Sequence, residues 1–317
     1  MLGLSTESRV VARVYNFVAC IIYALALFFI KRCHSPPMTI SFMRGSLNIV
    51  FTLIQQYFTK EDYFKGWSSM DWSLTRSVFA MCPTILAIYI VKYIKISVFA
   101  ILTRLQMIIV FFLGIYFLGT RFDARILLAT GVSILGVVLV IAPGVLGLGQ
   151  SDKDNLNLSF TTEELFGLFL FLFWLLTDST TIIITSKVMG LVTVSQSVVH
   201  MNMIITLVSG IGLLFSPTGL SFNTDDILNY VLIALCYYIG QMLVSESFRV
   251  EKNPSILTVI GCNYPISCLL LDVLFIGTRP STANLLGCAI VTGSSMWAVF
   301  LKSQAPVVKV TQVEERR

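Results

Sequence analysis

The chain has 317 residues, 56% of them hydrophobic and 12% charged, with a mean hydropathy of +0.84. Soluble domains carry about 25% charged residues, so water is excluded as the main solvent of this chain. The net charge of +5 is accounted for by the sidedness of the loops, described below, and gives no argument for nucleic acid as a partner.

A helix that crosses the hydrocarbon needs about 20 apolar residues, and ten such segments are predicted. They are 11–30, 37–58, 74–91, 97–118, 125–142, 163–185, 191–215, 226–248, 254–276 and 282–301. A β-barrel would show strands of about 10 residues with alternating polarity, whereas 126–141 is apolar on nearly every face. The expected fold is an all-α integral membrane protein with ten transmembrane helices. The first segment is longer than the core of a cleavable signal and ends in Lys31-Arg32, with no small-residue cleavage site.

Sidedness follows from Lys and Arg in the short connections and at the span ends. With the N-terminus inside, 14 of these residues fall on the inner side, Arg13 and Arg76 among them, and 6 on the outer side. Both termini are therefore expected in the cytoplasm, in an endomembrane or the plasma membrane. Arg44 and Arg104 are left over, deep inside predicted spans.

Phe117-Leu118-Gly119-Thr120-Arg121 returns 158 residues later as Phe275-Ile276-Gly277-Thr278-Arg279, each time between long apolar runs. Between the two copies, residues 143–162 are rich in Gly, Asn and Asp and read as an outer linker. The expected domains are a five-helix repeat over 1–142, a second over 163–302 and a cytoplasmic tail over 303–317. Five helices, an odd number, make the second copy enter from the opposite face. Inverted repeats of this kind build many secondary transporters, with the site near the midplane.

The seven cysteines lie almost all within spans, with no paired metal-ligand spacing, and read as packing residues. The sequence holds no Walker loop, no His-Glu-x-x-His and no Gly-x-Ser-x-Gly. No catalytic residue, metal or cofactor is expected, and the protein does not read as an enzyme.

Arg44 in Phe42-Met43-Arg44-Gly45, Leu118-Gly119-x-Arg121 leading into Leu135-Gly136-Val137-Val138-Leu139, and Ile141-Ala142-Pro143-Gly144 together resemble the EamA-type drug/metabolite transporter superfamily. Residues 76–148 carry most of the likeness, which among eukaryotic members is to solute carrier family 35. The family commonly has Leu-Gly-Glu-Arg after its fourth and ninth helices, where this chain has Thr120 and Thr278 in place of Glu. The resemblance implies ten helices in two inverted repeats, with the fourth and ninth bordering a central cavity. It also implies a secondary transporter working by alternating access, with a small-molecule solute and the lipid bilayer as partners. A nucleotide-sugar transporter and a non-transporting membrane scaffold or regulator are the alternatives. The motifs Phe-Tyr-Asn-Asn and Gly-Ala-Leu-Asn-Lys of nucleotide-sugar carriers do not occur here.

Charge in hydrocarbon is costly and marks a cavity or a partner. At 1.5 Å per residue, Arg44 and Arg104 sit about 10 Å from the outer ends of their helices, where Arg44 can snorkel to the surface. Arg104 and Asp272 are expected at similar depth on equivalent helices, as a structural ion pair or as ligands. Asp178 is a titrating or cation-binding candidate, with Thr177 and Thr181 as alternative structural partners; Glu246 can reach the interface. Asn263 and Tyr264, beside Pro265, form the most site-like tripeptide of the second half. Asn16, Gln106, His200, Asn202 and Gln241 are expected to join helices. Pro83 and Pro265 each free a carbonyl. Ala129 and Ser133, and Ala289 and Gly293, have the spacing for close helix approach, within one chain or across a homodimer.

The topology is checked with tags at both ends and protease protection in sealed vesicles. Both tags are expected on the same, cytoplasmic side, and tags on opposite sides would show that the spans are miscounted.

Overall fold

The computed structural model describes residues 6–60, 67–93, 99, 103, 105–119, 123–141, 162–216, 222–251, 253–261, 263–276 and 282–300. Every regular element among them is helical. The first half contains α1 (Thr6–Arg32), α2 (Pro37–Thr59), α3 (Trp67–Tyr93), α4 (Leu105–Leu118) and α5 (Ala124–Ile141). The second contains α6 (Thr162–Val188), α7 (Val194–Leu214), α8 (Ile227–Val250), α9 (Pro254–Ile260), α10 (Asn263–Leu271) and α11 (Thr282–Phe300). A 3-10 turn at Thr224–Asp226 precedes α8, and a π-helical turn at Asp272–Ile276 follows α10.

Local chemistry sets several of these boundaries. Pro37 opens α2, where its missing N–H costs nothing. The Thr193 side chain caps α7 by accepting from the Gln196 N–H at 3.3 Å. Gly119, at φ 63°, closes α4 in the left-handed conformation that only glycine adopts freely. The predicted ninth span is not one helix. It stops after Ile260 and restarts at Asn263, because Pro265 has no N–H to offer the Gly261 carbonyl, which instead takes the Tyr264 N–H at 3.0 Å.

Six helices are long and apolar enough to cross a membrane: Arg9–Arg32, Pro37–Thr59, Asp71–Tyr93, Leu165–Val188, Val194–Leu214 and Thr224–Val250. Four shorter apolar helices, Leu105–Leu118, Ala124–Gly136, Ile266–Phe275 and Leu285–Ser294, stand where spans four, five, nine and ten are predicted. The distribution of polarity is that of a protein dissolved in lipid. Leu53, Phe112, Leu135, Phe169, Leu207 and Leu228 face outward, while Arg13, Arg44, Asn48, Arg76, Asn202 and Gln241 are buried. Packing and hydrogen bonding join such helices, since lipid is as apolar as leucine.

Four helices, α1, α3, α6 and α8, surround the centre. α1 runs antiparallel to α8 and is fastened to it at both ends. At the end where α1 begins, Arg13 donates through Nε at 3.0 Å and Nη2 at 2.7 Å to one Glu251 oxygen. The other Glu251 oxygen accepts the Asn253 N–H at 3.2 Å. At the opposite end, buried Asp226 accepts the backbone N–H groups of His34 and Ser35 at 3.0 and 3.1 Å and the Ser35 hydroxyl at 2.8 Å. α3 and α6 are likewise antiparallel, with Lys187 over the Trp72 ring at one end and Tyr93 against Phe166 at the other. Lys31 donates to the Val91 carbonyl and Lys92 to the Cys33 carbonyl, so the last turns of α1 and α3 cap each other.

The outer pairs are α2 with α7 and α5 with α11. Each needs one glycine at its closest approach. A Cβ on Gly45 would lie 2.4 Å from Thr206 Oγ1 and 3.2 Å from its backbone N. One on Gly136 would lie 2.7 Å from Val291 Cγ2 and 3.1 Å from the Gly287 carbonyl. The seam between α5 and α11 uses buried Ala129 and Ser133 on one side, as expected, with the Ser133 and Ser294 hydroxyls 2.7 Å apart. On α11 the seam within the chain lies elsewhere: Ala289 and Gly293 are exposed, and Gly287, Val291 and Ser294 form it. Sequence spacing identifies a small-residue stripe but not the side on which the neighbour lies.

Arg13 and Glu251, expected at the surface and unremarked respectively, form this buried pair with side chains 4% and 2% exposed. Removal of one partner should therefore cost far more than removal of both. Arg13→Ala is expected to destabilise by about 3–5 kcal/mol, and Arg13→Met with Glu251→Leu to recover most of it. Thermal unfolding of the purified protein in detergent measures both.

Candidate functional site

A cavity of about 310 Å³ lies at mid-depth between the central helices. It is lined on α1 by positions 16–27, on α3 by positions 76–87 and on α6 by positions 174–185, with Phe99, Thr103, α4, Met201 of α7, α8, α9, Gly261 and Tyr264 completing the wall. Its two ends differ chemically.

Towards the end where α1 begins, the wall is polar. Arg76, 5% exposed, donates through Nε to Thr185 Oγ1 at 3.1 Å and through Nη2 to Ser245 Oγ at 3.5 Å, and Nη1 bonds Ser197 Oγ. Its three acceptors are neutral hydroxyls from α6, α7 and α8, and no carboxylate within ion-pair distance is found among the described residues. Position alone suggested a surface charge at the start of the third span. The helix begins at Trp67, earlier than predicted, which carries Arg76 two turns into the bundle. Asn16 joins this end, donating to the Leu257 carbonyl at 2.7 Å, so that α1 is tied to α9.

Towards the opposite end the wall is aromatic. Phe99, Phe171 and Trp174 pack with ring centroids 5.3–6.2 Å apart, and Tyr23 meets Tyr237 at 5.5 Å. These rings merge into the buried cluster with Leu27, Ile30, Ile88 and Ile233 that fills this end of the bundle. Between the two ends stands Asp178, whose carboxylate accepts the side-chain amide of Gln106 across from α4. The alternative partners do not hold it. Thr177 bonds the Phe173 and Trp174 carbonyls, and Thr181 bonds the Phe79 and Thr177 carbonyls.

The Thr181 bond to Phe79 explains the kink-prone proline opposite it. Pro83 lacks the N–H that the Phe79 carbonyl would take, and Thr181 Oγ1 supplies a donor at 3.1 Å from the facing helix. The carbonyl that Pro83 frees therefore serves to join α3 to α6.

Arg44 does not snorkel. Its side chain is wholly buried, and the guanidinium carbon lies 3.9 Å from the Tyr237 ring centroid. Tyr237 lines the cavity and Arg44 does not, so Arg44 stands behind the wall as a cation–π partner. Tyr264 reaches the cavity, but Asn263 does not. Its amide donates to the Ile260 carbonyl at 2.8 Å, within the break between α9 and α10. Gln241 lines the cavity and accepts from Asn202 at 3.2 Å, which in turn accepts from Asn48 at 3.3 Å, so these amides join α2, α7 and α8 as expected. His200 Nδ1 lies 2.8 Å from Ser73 Oγ. Glu246 pairs with Arg249 at the partly exposed end of α8. Arg104 and the side chain of Asp272 lie outside the described residues.

Fold and cavity together define a multi-pass helical membrane protein. Residues 12–142 match the model of the EamA-like transporter family. No curated protein matches the chain. In all, 28 chains of solved structures match. One, titled "Crystal structure of protein", is 16% identical and aligns over 92% of this chain and 99% of its own at a TM-score of 0.70, a likeness of fold.

Thr181→Val is expected to leave the Phe79 carbonyl without its donor and to cost about 1–3 kcal/mol. Pro83→Ala returns the helical N–H, so the double variant should regain most of the loss in thermal unfolding. Equal stability of Thr181→Val and the parent would show that the bond contributes nothing.

Proposed function

We propose that the chain is a carrier of two inverted five-helix repeats, 1–142 and 163–302, that moves a small organic solute through the central cavity by alternating access. The observation that carries this reading is a mid-depth cavity walled by both halves, with Arg76 and Asp178 on facing helices. A membrane scaffold has no use for a buried cation and a buried acid around an open volume, since each is costly in hydrocarbon.

The packing supports the repeat. Exchanging each helix of one half for its counterpart in the other turns α1–α8 into α6–α3, and turns α4–α6 into α9/α10–α1. The pairs α2–α7, α5–α11 and α4–α9 turn into themselves. The doubled Gly-Thr-Arg motif follows the same offset. With this arrangement the two halves rock about the cavity, and the fastenings of α1 to α8 at either end are the contacts that such rocking would break and remake. Both termini then lie in the cytoplasm and the 143–162 linker on the outer side. Arg44, Asp178 and Tyr264 act at or behind the wall; Arg104 and Asp272 are assigned to the same site by their sequence positions.

Purified protein in liposomes loaded with mixed amino acids, nucleosides, nucleotide sugars and organic amines tests the reading. Saturable exchange of at least one labelled member of the panel, absent from empty liposomes, is expected. A folded, reconstituted protein that exchanges none of them favours the scaffold.

A further inference from the structure

The carrier reading leaves the solute open, and the charges of the cavity narrow it. We propose that the solute is an organic anion whose carboxylate or phosphate seats on Arg76, with an apolar, ring-bearing body along the aromatic wall and a hydrogen-bond donor facing Asp178. This inference rests on the carrier reading of the same cavity.

The first ground is the donor count at Arg76. A guanidinium carries five N–H groups, and the three hydroxyls of Thr185, Ser197 and Ser245 take one from each nitrogen. Two remain, one on each terminal nitrogen. Free N–H groups on both terminal nitrogens are what arginine needs to grip a carboxylate or phosphate in two-pronged fashion. The hydroxyls orient the group without discharging it.

The second ground is charge balance. Arg13 and Glu251 neutralise each other, and Asp226 is held by neutral donors at the far end of α8, 19 residues from Ser245 and about 28 Å away along the helix. Around the cavity, the described charges are Arg44, Arg76 and Asp178, two positive and one negative. A solute with one negative charge balances them. The third ground is distance. Asp178 precedes Thr185, the partner of Arg76, by seven residues on α6, about 10 Å of helix rise. A second anion at that distance would face a carboxylate, whereas an amine or hydroxyl would bond to it. Trp174, Phe99 and Tyr264 flank this end.

The test uses the full-length protein in detergent and four probes: 4-(4-aminophenyl)butyrate, its uncharged carboxamide, 4-phenylbutyl phosphate and 4-phenylbutylamine. Thermal unfolding and tryptophan fluorescence give the affinities. The carboxylate or the phosphate is expected to bind, and the better of the two identifies the anion. The carboxamide and the amine should bind about tenfold more weakly or worse, the loss of a charge-assisted fork. Arg76→Gln should reduce the anions to the carboxamide's level, while Arg76→Lys keeps the charge without the fork and should fall between. If Arg76→Gln does not fold, the wild-type panel and Arg76→Lys decide. Equal binding of carboxamide and carboxylate, undiminished anion binding by a folded Arg76→Gln, or no binding of either anion overturns the inference. Anion binding at Arg76 without exchange in liposomes would instead overturn the carrier reading, and exchange of a cation unaffected by Arg76→Gln would overturn only the anion.

Discussion

Hydrocarbon accepts and donates no hydrogen bonds, and most of this structure follows from that constraint. Each polar group placed inside the bundle must find its partner in another helix or face an enclosed space. The Phe79 carbonyl released by Pro83 is met by Thr181, the Leu257 carbonyl by Asn16, and the carboxylate of Glu251 by Arg13 and the Asn253 N–H. These bonds hold α1 against α8 and α9, and α3 against α6, where apolar surface by itself gives no preference for a neighbour over lipid.

The same constraint makes the exceptions informative. Arg76 has neutral partners only, and Asp178 has a single amide; both stand at the cavity. Arg44 lies behind it, face to face with Tyr237. The charges that the bundle fastens together are at its ends, as with Arg13 and Glu251. Those it leaves without a charged partner are at its middle. A protein that needed only to fold could have placed leucine there, as buried ion pairs and cations seldom add net stability.

The two ends of the cavity also differ in the contacts around them. Towards the ends of α1 and α3 the rings of Phe99, Phe171 and Trp174 and the aliphatic cluster around Ile30 and Ile88 fill the bundle, and reciprocal lysine caps close the last turns. Towards the start of α1 the contacts are polar, through Arg13, Asn16 and their partners on α8 and α9. Aromatic and ionic contacts respond differently to water, since entering water weakens the ion pair by screening and leaves the rings in contact.

The amino-acid sequence by itself determined the solvent of this protein and the kind of element it builds. Long apolar runs leave a helix as the only way to satisfy the backbone, so six spans and the places of the shorter helices were legible, as were the amides that tie α2, α7 and α8 together. Pro83 announced a freed carbonyl, and the small residues of α5 announced a close neighbour. What only the tertiary structure decided is which side of each helix meets which partner. Arg76 counted as a surface charge until the start of α3 set its depth; Arg44 counted as a snorkelling one until Tyr237 covered it. Asn263 looked like a ligand but turned back on its own chain, and the stripe of Ala289 and Gly293 proved to face outward. Hydropathy acts one residue at a time, so it shows which runs enter the membrane but not where each helix starts. Rotation about a helix axis depends on the neighbours, and these are settled only when all the helices have packed.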